Sequence, residues 1–381
     1  MDFDLSEEQR MALDAWRRFI DRDIRPITAE YRDTLIPAPV LKKLLGMTAE
    51  YGVGCGWVPE DGGGAGLDFL TSGLLYEELA RVSPDLAGAA FVNEGAAIKV
   101  YNGGSEALKA RYLGPTLRGE LIGCSAISEP DVGSNVRAMR TRAFRDGDHY
   151  RINGEKMWIS NCSVADYATV VAATGDQEFT MFLVDRAEHG FETREIEKIG
   201  LNGWSLGQII LNDVSVPAAN MIGGLGGGLR ETMKGFERSR CFISLLGLGM
   251  AQASLEASIS YAQQREQFGK PIGGHQLVQQ LIAEMATELE AARLLVYRAL
   301  SQLTLGKGTN IEAAMAKAFA TEAAVRITSK AIQVHGASGI SREFPVERHF
   351  RSARMLTIPD GTTQINNLVI GRTLLGINAF G

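Results

Sequence analysis

The chain has 381 residues, 45% hydrophobic and 22% charged, which suits two or three domains with a large core. A formal net charge of -6, with Lys and Arg scattered along the chain, excludes a nucleic-acid binder. Cys55, Cys124, Cys162 and Cys241 lie far apart with no CxxC pair, so they read as free thiols of a reducing compartment, not as a disulfide frame or zinc site.

Residues 1–120 form a helical zone. The opening "MDFDLSEEQR" is acidic and amphipathic, unlike a signal peptide or an Arg-rich transit peptide. No apolar run approaches the roughly 20 residues of a membrane helix. These features predict a soluble, cytoplasmic protein. Ser6-x-x-Gln9 has the form of a capping box, and "SEEQRMALDAWRRFIDRDI" carries apolar residues at helical spacing. "PEDGGGAG" (Pro59–Gly66) reads as a loop, after which "FLTSGLLYEELARV" and "SEALKARYLGPTLRG" resume helix.

Residues 121–229 are β-rich. "HYRINGEKMWIS" predicts a hairpin turning at Asn153-Gly154, a pair suited to a type I′ loop. "YATVVAAT", "FTMFLVD" and "QIILNDVSVP" add strands at the short spacing of a small antiparallel barrel or sandwich. The glycine run Gly223–Leu229 lacks the Gly-Lys-Ser/Thr ending of a P-loop and reads as a flexible connection.

Residues 230–381 return to long helices. Val278, Ile282, Met285, Leu289, Ala292, Val296, Ala299 and Leu303 make the stripe of a helix packed in a bundle. The expected class is therefore α+β: an N-terminal helical domain, a middle antiparallel β domain and a C-terminal four-helix bundle. The five dispersed histidines offer no metal spacing. A GxSxG elbow and a Gly-rich dinucleotide fingerprint are also missing.

Four segments carry a resemblance. "CSAISEPDVGSNVRAMRTRA" (Cys124–Ala143) with "INGEKMWISN" (Ile152–Asn161) resembles the flavin signature of acyl-CoA dehydrogenases. "RSRCFISLLGLGMAQASLEASISYAQQREQFGKPIGGHQ" (Arg238–Gln276) resembles their helical substrate and cofactor segment. "AIQVHGASGISREFPVERHFRSARM" (Ala331–Met355) and "IPDGTTQINNLVIGR" (Ile358–Arg372) resemble their C-terminal signatures. The match keeps its order over nearly the whole length.

The resemblance implies FAD, a homotetramer, α,β-dehydrogenation of an acyl-CoA thioester, and electron transfer flavoprotein as acceptor. It implies that Ala126, Ile127 and Ser128 run along the flavin ring, that Trp158 stacks near it and that Ser160 bonds near its N5. On the strand pattern alone, Trp158 would read as a buried aromatic. Ser134 joins the cofactor set and faces the CoA arm. Arg240 points into the substrate cleft, with Glu237 beside it toward the pantetheine; without the motif these two would be a solvated helix face. Arg265, Phe268 and Gln276 reach the FAD of a neighbouring subunit. Gln333 and Gly336 meet its adenosine diphosphate portion, and Thr362 and Gln364 touch the same cofactor. A guanidinium and backbone N–H groups are what a pyrophosphate requires.

Asp360 stands where most of the family has its catalytic glutamate, directly before Gly361, which joins the substrate contacts, and Thr362. Taken alone, Pro359-Asp360-Gly361 is a turn signal. The family's second position for the base, one residue before Arg240, holds Ser239, which cannot serve. That leaves Asp360 as the expected base. Relatives that oxidise alicyclic thioesters such as cyclohexanecarboxyl-CoA and cyclohex-1-ene-1-carboxyl-CoA also carry aspartate there. Pro359 replaces the usual aromatic, Ala337 a second glycine, and Ser352 stands in the usual "RDA". Glu94, on the helix that walls the acyl pocket in the family, is expected to be solvated, with action on the substrate as the alternative. The competing activities are a nitroalkane-oxidase-like flavin oxidase, also with an aspartate base, and a catalytically silent FAD-binding relative.

Overall fold

The computed structural model describes residues 5–379; the opening Met1–Asp4 of the N-terminal reading lies outside them. Helix α1 (Glu7–Phe19) starts from the expected capping box, the Ser6 hydroxyl accepting from the Gln9 N–H while the Gln9 side chain accepts from the Ser6 N–H. A π-turn then leads into α2 (Arg25–Ala29), followed by α3 (Ala38–Ala49), α4 (Phe69–Val82) and α5 (Pro84–Gly103). Asp68 caps α4 and Ser83 caps α5, so each helix begins where a side chain satisfies its free N–H groups. Short α6 (Glu106–Leu108) and α7 (Gly114–Leu117), joined by a π segment, close the helical region.

The strands follow: β1 (Gly123–Ala126), β2 (Arg142–Asp146), β3 (His149–Ser160), β4 (Tyr167–Gly175), β5 (Glu178–Asp185), β6 (Glu192–Glu195), β7 (Leu206–Pro217) and β8 (Met221–Ile222). Their order is β6-β7-β3-β2-β4-β5-β8, with β1 beside β4; α8 (Arg186–His189) links β5 to β6. Most pairs are antiparallel, but β1 and β2 run parallel to β4.

The expected hairpin at Asn153-Gly154 is not there. Strand β3 runs straight through it, still paired with β7 on both sides (Ile152 with Val214, Gly154 with Leu211) across a register shift. The Asn153 side chain accepts from the Asp213 N–H at 2.8 Å instead of turning the chain. Gly154, at φ 149, is needed for close approach: a Cβ there would lie 2.5 Å from the Thr141 hydroxyl. The turn joining β2 to β3 is Gly147-Asp148, with Gly147 at φ 64 supplying the left-handed first position of a two-residue loop.

The glycine run is not a slack tether. Gly223 N–H donates to the Gly103 carbonyl at 2.9 Å and Gly226 N–H to the Thr180 hydroxyl at 3.0 Å. Helix α9 (Gly228–Gln264) begins inside the run and leads through the β9–β10 hairpin (Glu266–Gln267, Lys270–Pro271) to α10 (Gln276–Thr304), α11 (Asn310–His335), α12 (Val346–Leu356) and α13 (Thr363–Leu375). Helix α9 packs on α11, α4, α10 and α12. It alone among the described helices is long and apolar enough to cross a membrane, contrary to the sequence expectation, but 72% of its apolar window is buried in the fold. It is the core helix of the bundle. In α10 the stripe is buried from Met285 to Ala299, while Val278 and Ile282 stay partly open. All four cysteines are free and buried.

Candidate active site

Helices α5 and α9, strands β1 and β3, and the turn joining α12 to α13 enclose a cavity of about 890 Å³. Asp360 stands on its wall, in a turn as its spelling predicts: Asp360 is at φ 54 and Gly361 at φ 89. Aspartate tolerates that left-handed region better than most residues. Thr362 then caps α13, its hydroxyl accepting from the Ile365 N–H at 3.2 Å.

The turn is anchored from beneath. Lys317 Nζ, fully buried on α11, donates to the carbonyls of Thr357 at 3.0 Å and Gly361 at 2.7 Å. Asn366 Nδ2 donates to the Gly361 carbonyl at 2.8 Å. Arg240 Nε reaches the Asp360 carbonyl at 3.4 Å and Arg240 Nη1 the Asn310 side chain at 2.6 Å. Asp360 is partly exposed and lines the cavity. Burial raises its pKa, against the pull of Lys317, Arg240, the nearby Ser239 hydroxyl and Lys99. Ser239 thus faces the carboxylate across the cavity wall.

Strand β3 supplies the opposite wall. Between Lys156 and Ile159 its register with β7 slips, and at that irregularity Trp158 adopts φ 63 and is 54% exposed. The indole is displayed in the cavity, not buried in the sheet. Ile127, Ser128, Ser134 and Ser160 line the same space; Ala126 is buried just behind it. Lys156, fully buried, ties the wall together: Nζ donates to the Ile127 carbonyl at 3.0 Å and pairs with Glu129 at 2.9 Å. Glu129 also accepts from the N–H groups of Arg140 and Thr141, at 2.6 and 2.9 Å.

Three residues sit apart from the cavity wall, and of these Glu94 needs correction. Arg240 is buried beside the Asp360 turn, with Nε toward its carbonyl, so it is no solvated helix face. Glu237 turns to α11, accepting from the Thr309 hydroxyl at 2.6 Å and its N–H at 3.2 Å. Glu94 is neither solvated nor on the cavity wall. It is fully buried, accepting from the Trp57 N–H and the Tyr76 hydroxyl, each at 2.6 Å, and burial pushes its pKa up to about 7.

Arg265, Phe268, Gln276, Gln333, Gly336 and Gln364 are all exposed and do not line the cavity of their own chain. Phe268 is 94% exposed, at the tip of the β9–β10 hairpin. Sequence reasoning missed Lys317, Lys156, Lys99 and Arg238. Lys317 carried a readable signal: a lone lysine on the alanine-rich buried face shared with Ala313, Ala320 and Ala324. No cluster among the described residues could hold a metal ion.

A displayed indole and flanking hydroxyls fit a flavin ring, and a carboxylate held in a pinned turn beside Ser239 fits α-proton removal. Sequence models of the acyl-CoA dehydrogenase N-terminal, middle and C-terminal domains match residues 6–120, 124–214 and 226–375. The chain belongs to the acyl-CoA dehydrogenase family, FAD-dependent oxidoreductases of the three-domain fold. It is 36% identical to a glutaryl-CoA dehydrogenase of Desulfococcus multivorans, covering 99% of both chains. It is 37% identical to a cyclohex-1-ene-1-carbonyl-CoA dehydrogenase of Syntrophus aciditrophicus, over 98% of this chain and 91% of the relative. A glutaryl-CoA dehydrogenase from Mycobacterium smegmatis, solved in complex with FADH2, superposes with a TM-score of 0.91 at 31% identity, covering 99% of this chain and 97% of that one.

Proposed function

We propose that Asp360 removes the α-proton of an acyl-CoA thioester while the β-hydrogen leaves as hydride. The observation that carries this reading is the placement of the Asp360 carboxylate on the cavity wall, in a turn pinned by Lys317 and opposite a serine that cannot act as base. When bound, FAD supplies the hydride acceptor. Trp158, Ile127, Ser128, Ser134 and Ser160 would hold its ring and the thioester, and Thr362 caps the helix that follows the base. Burial keeps water from competing for the proton, and Lys317 and Arg240 keep the carboxylate available in its ionised form.

Trp57, 7% exposed, and Phe91, 8% exposed, give the cavity an aromatic stretch of wall, with Phe242 packed 4.6 Å from the Trp57 ring. Aspartate is one methylene shorter than glutamate, which withdraws the carboxylate by roughly 1.5 Å. A base needs about 2.6–3.2 Å to its proton or a bridging water. An α-carbon inside a ring is broader where it faces Asp360, and Pro359 on the wall leaves room for that breadth. A cyclohexane- or cyclohexene-carboxyl thioester therefore suits this site better than a straight chain.

We divide the chain at 120/121 and 229/230 and read it as a cytoplasmic homotetramer served by electron transfer flavoprotein. Arg265, Phe268, Gln276, Gln333, Gly336 and Gln364 would meet a neighbour's FAD. Their exposure in the single chain, with Leu277 at 75% and Ile340 at 74%, supports this. Anaerobic titration of the yellow protein with acyl-CoA thioesters is the test. Bleaching by a thioester supports the dehydrogenase. Hydrogen peroxide formed from a small nitroalkane without CoA would support the oxidase, and FAD that no thioester bleaches would mark a silent relative.

A further inference from the structure

Two cations on the cavity wall have no role in the chemistry described above. Arg238 and Lys99 line the same space as Asp360, Trp57 and Phe91. The Arg238 guanidinium lies 4.6 Å from the Trp57 ring centre and 5.8 Å from that of Phe69. Among the described residues it has no hydrogen bond or ion pair with protein. Glu94 is the carboxylate that acts on it electrostatically, but both Glu94 oxygens are already taken, by the Trp57 N–H and the Tyr76 hydroxyl. Lys99 Nζ donates to the Ser125 hydroxyl at 2.6 Å, a neutral acceptor, which leaves further donor capacity on the ammonium.

A buried charge without a paired, hydrogen-bonded partner is costly. Burial accordingly draws Lys99 down to about 8 and Arg238 down to about 10. Holding Asp360 ionised does not account for them, because Lys317, Arg240 and Ser239 all act on that carboxylate more strongly than Lys99 does. The CoA phosphates are poor occupants too. The pantetheine arm must lead out to solvent, whereas Arg238 lies against the Trp57 ring, itself packed on Phe91, and both rings are nearly buried. A planar fork and a point charge, set in an aromatic wall, are the donors that a carboxylate takes up.

We propose that the acyl group carries a second carboxylate at the end remote from the thioester, received by Arg238 and Lys99. The inference rests on the acyl-CoA dehydrogenase reading above and names the substrate class of that same cavity. Glu94 then acts as a positioning residue, holding the Trp57 backbone under the guanidinium.

The test uses matched pairs of thioesters that differ only in the distal group: glutaryl-CoA against pentanoyl-CoA, and 4-carboxycyclohexane-1-carbonyl-CoA against cyclohexane-1-carbonyl-CoA. Two quantities are read on the holoenzyme: kcat/KM for anaerobic flavin reduction, and Kd by calorimetry on the Asp360→Asn form, where binding is separated from turnover. The carboxylate member of at least one pair should be favoured by roughly 10²-fold, the worth of hydrogen bonds to a charged group. That ratio should fall toward unity in Arg238→Met and Lys99→Met and be kept in Lys99→Arg. The flavin spectrum of each variant reports whether it is folded. Equal or faster reduction by the neutral member of both pairs, or a ratio that survives Arg238→Met, overturns the inference and leaves the dehydrogenase standing. Flavin that none of the four thioesters bleaches or binds overturns both.

Discussion

Lys317 Nζ donates to the Gly361 carbonyl at 2.7 Å, so the turn that presents the base is held by a buried ammonium group reaching up from α11. Lys317→Met would leave the Thr357 carbonyl without this donor and the Gly361 carbonyl with Asn366 alone. Each carbonyl keeps one donor, the Thr363 N–H at 3.2 Å for Thr357 and Asn366 for Gly361, so what is lost is the net worth of hydrogen bonds from a charged donor, about 1.5–3 kcal/mol each, and the melting temperature should fall. Lys317 is also the foremost of the groups that lower the Asp360 pKa. Without it that pKa rises further, and the rise of the flavin reduction rate with pH should move to more alkaline values. A lowered melting temperature with an unmoved pH profile would show that Lys317 is only structural.

Asp360→Asn should keep FAD and the fold and lose reduction by substrate, since an amide cannot take the α-proton. Loss of a general base costs about 10²–10⁴-fold. Burial raises the Asp360 pKa in the folded protein, so wild-type reduction should increase with pH through a midpoint above the ordinary aspartate value of 3.8. Near-normal bleaching in the variant would place the base elsewhere. Glu94 is badly placed to be that group, because its oxygens are held by Trp57 and Tyr76 away from the cavity wall.

Glu94 makes a separate prediction about stability. Its pKa is about 7 when folded, against 4.5 as the ordinary value. A carboxyl raised on folding favours the folded state while it is protonated. That advantage is complete below about 4.5 and is lost as pH rises through about 7. The full span is on the order of 3 kcal/mol. Melting temperature should therefore decline between pH 5 and pH 8 in the wild type and decline less in Glu94→Gln. Parallel curves for the two proteins would remove Glu94 as the cause.

The arrangement of helices and strands was legible because its signals are local. The Ser6–Gln9 box, the apolar stripe of α10 and the β-branched runs of β4 and β5 each name their own structure. Asn153-Gly154 misled because the same dipeptide serves a tight turn and a strand irregularity. What decided between them was the β7 partner some 60 residues away, invisible to any local pattern. At the site, Asp360 could be found from its motif and Trp158 from its own, though nothing in a strand pattern shows that an indole will be pushed outward at φ 63. Lys99 and Arg238 belong to no motif and become visible only when α5 and α9 bring them to one wall.

Arg265→Ala tests assembly. Arg265 and Phe268 are exposed at the β9–β10 hairpin and do not line the cavity that holds Asp360 in their own chain. If they complete a neighbour's FAD site, flavin binding and association are linked, and anything that binds only the assembled state stabilises it. The variant should lose flavin and show a smaller hydrodynamic size, and excess FAD should restore both together. Loss of flavin from an unchanged tetramer would limit Arg265 to cofactor contact. A wild-type protein that is monomeric and fully yellow would end the shared-site reading.

The last prediction concerns the length of the base. In the Asp360→Glu variant the carboxylate advances by roughly one C–C bond, about 1.5 Å, into the cavity. For a thioester whose α-carbon lies in a ring, that advance brings the carboxylate into the substituents that fill the space, and reduction should slow. For a straight chain, the same advance closes a gap to within the 2.6–3.2 Å or so that proton transfer requires, and reduction should quicken. The backbone imposes a small further cost, because residue 360 sits at φ 54, where aspartate is better tolerated than glutamate. The measurement is anaerobic flavin reduction by cyclohexane-1-carbonyl-CoA and butyryl-CoA in both proteins. The ratio of the two rates should fall on going from Asp360 to glutamate. Rapid reduction of the wild type by butyryl-CoA, with no response to the ring thioester, would show that the backbone of the Pro359–Gly361 turn already compensates for the shorter side chain, and the ring preference would be withdrawn.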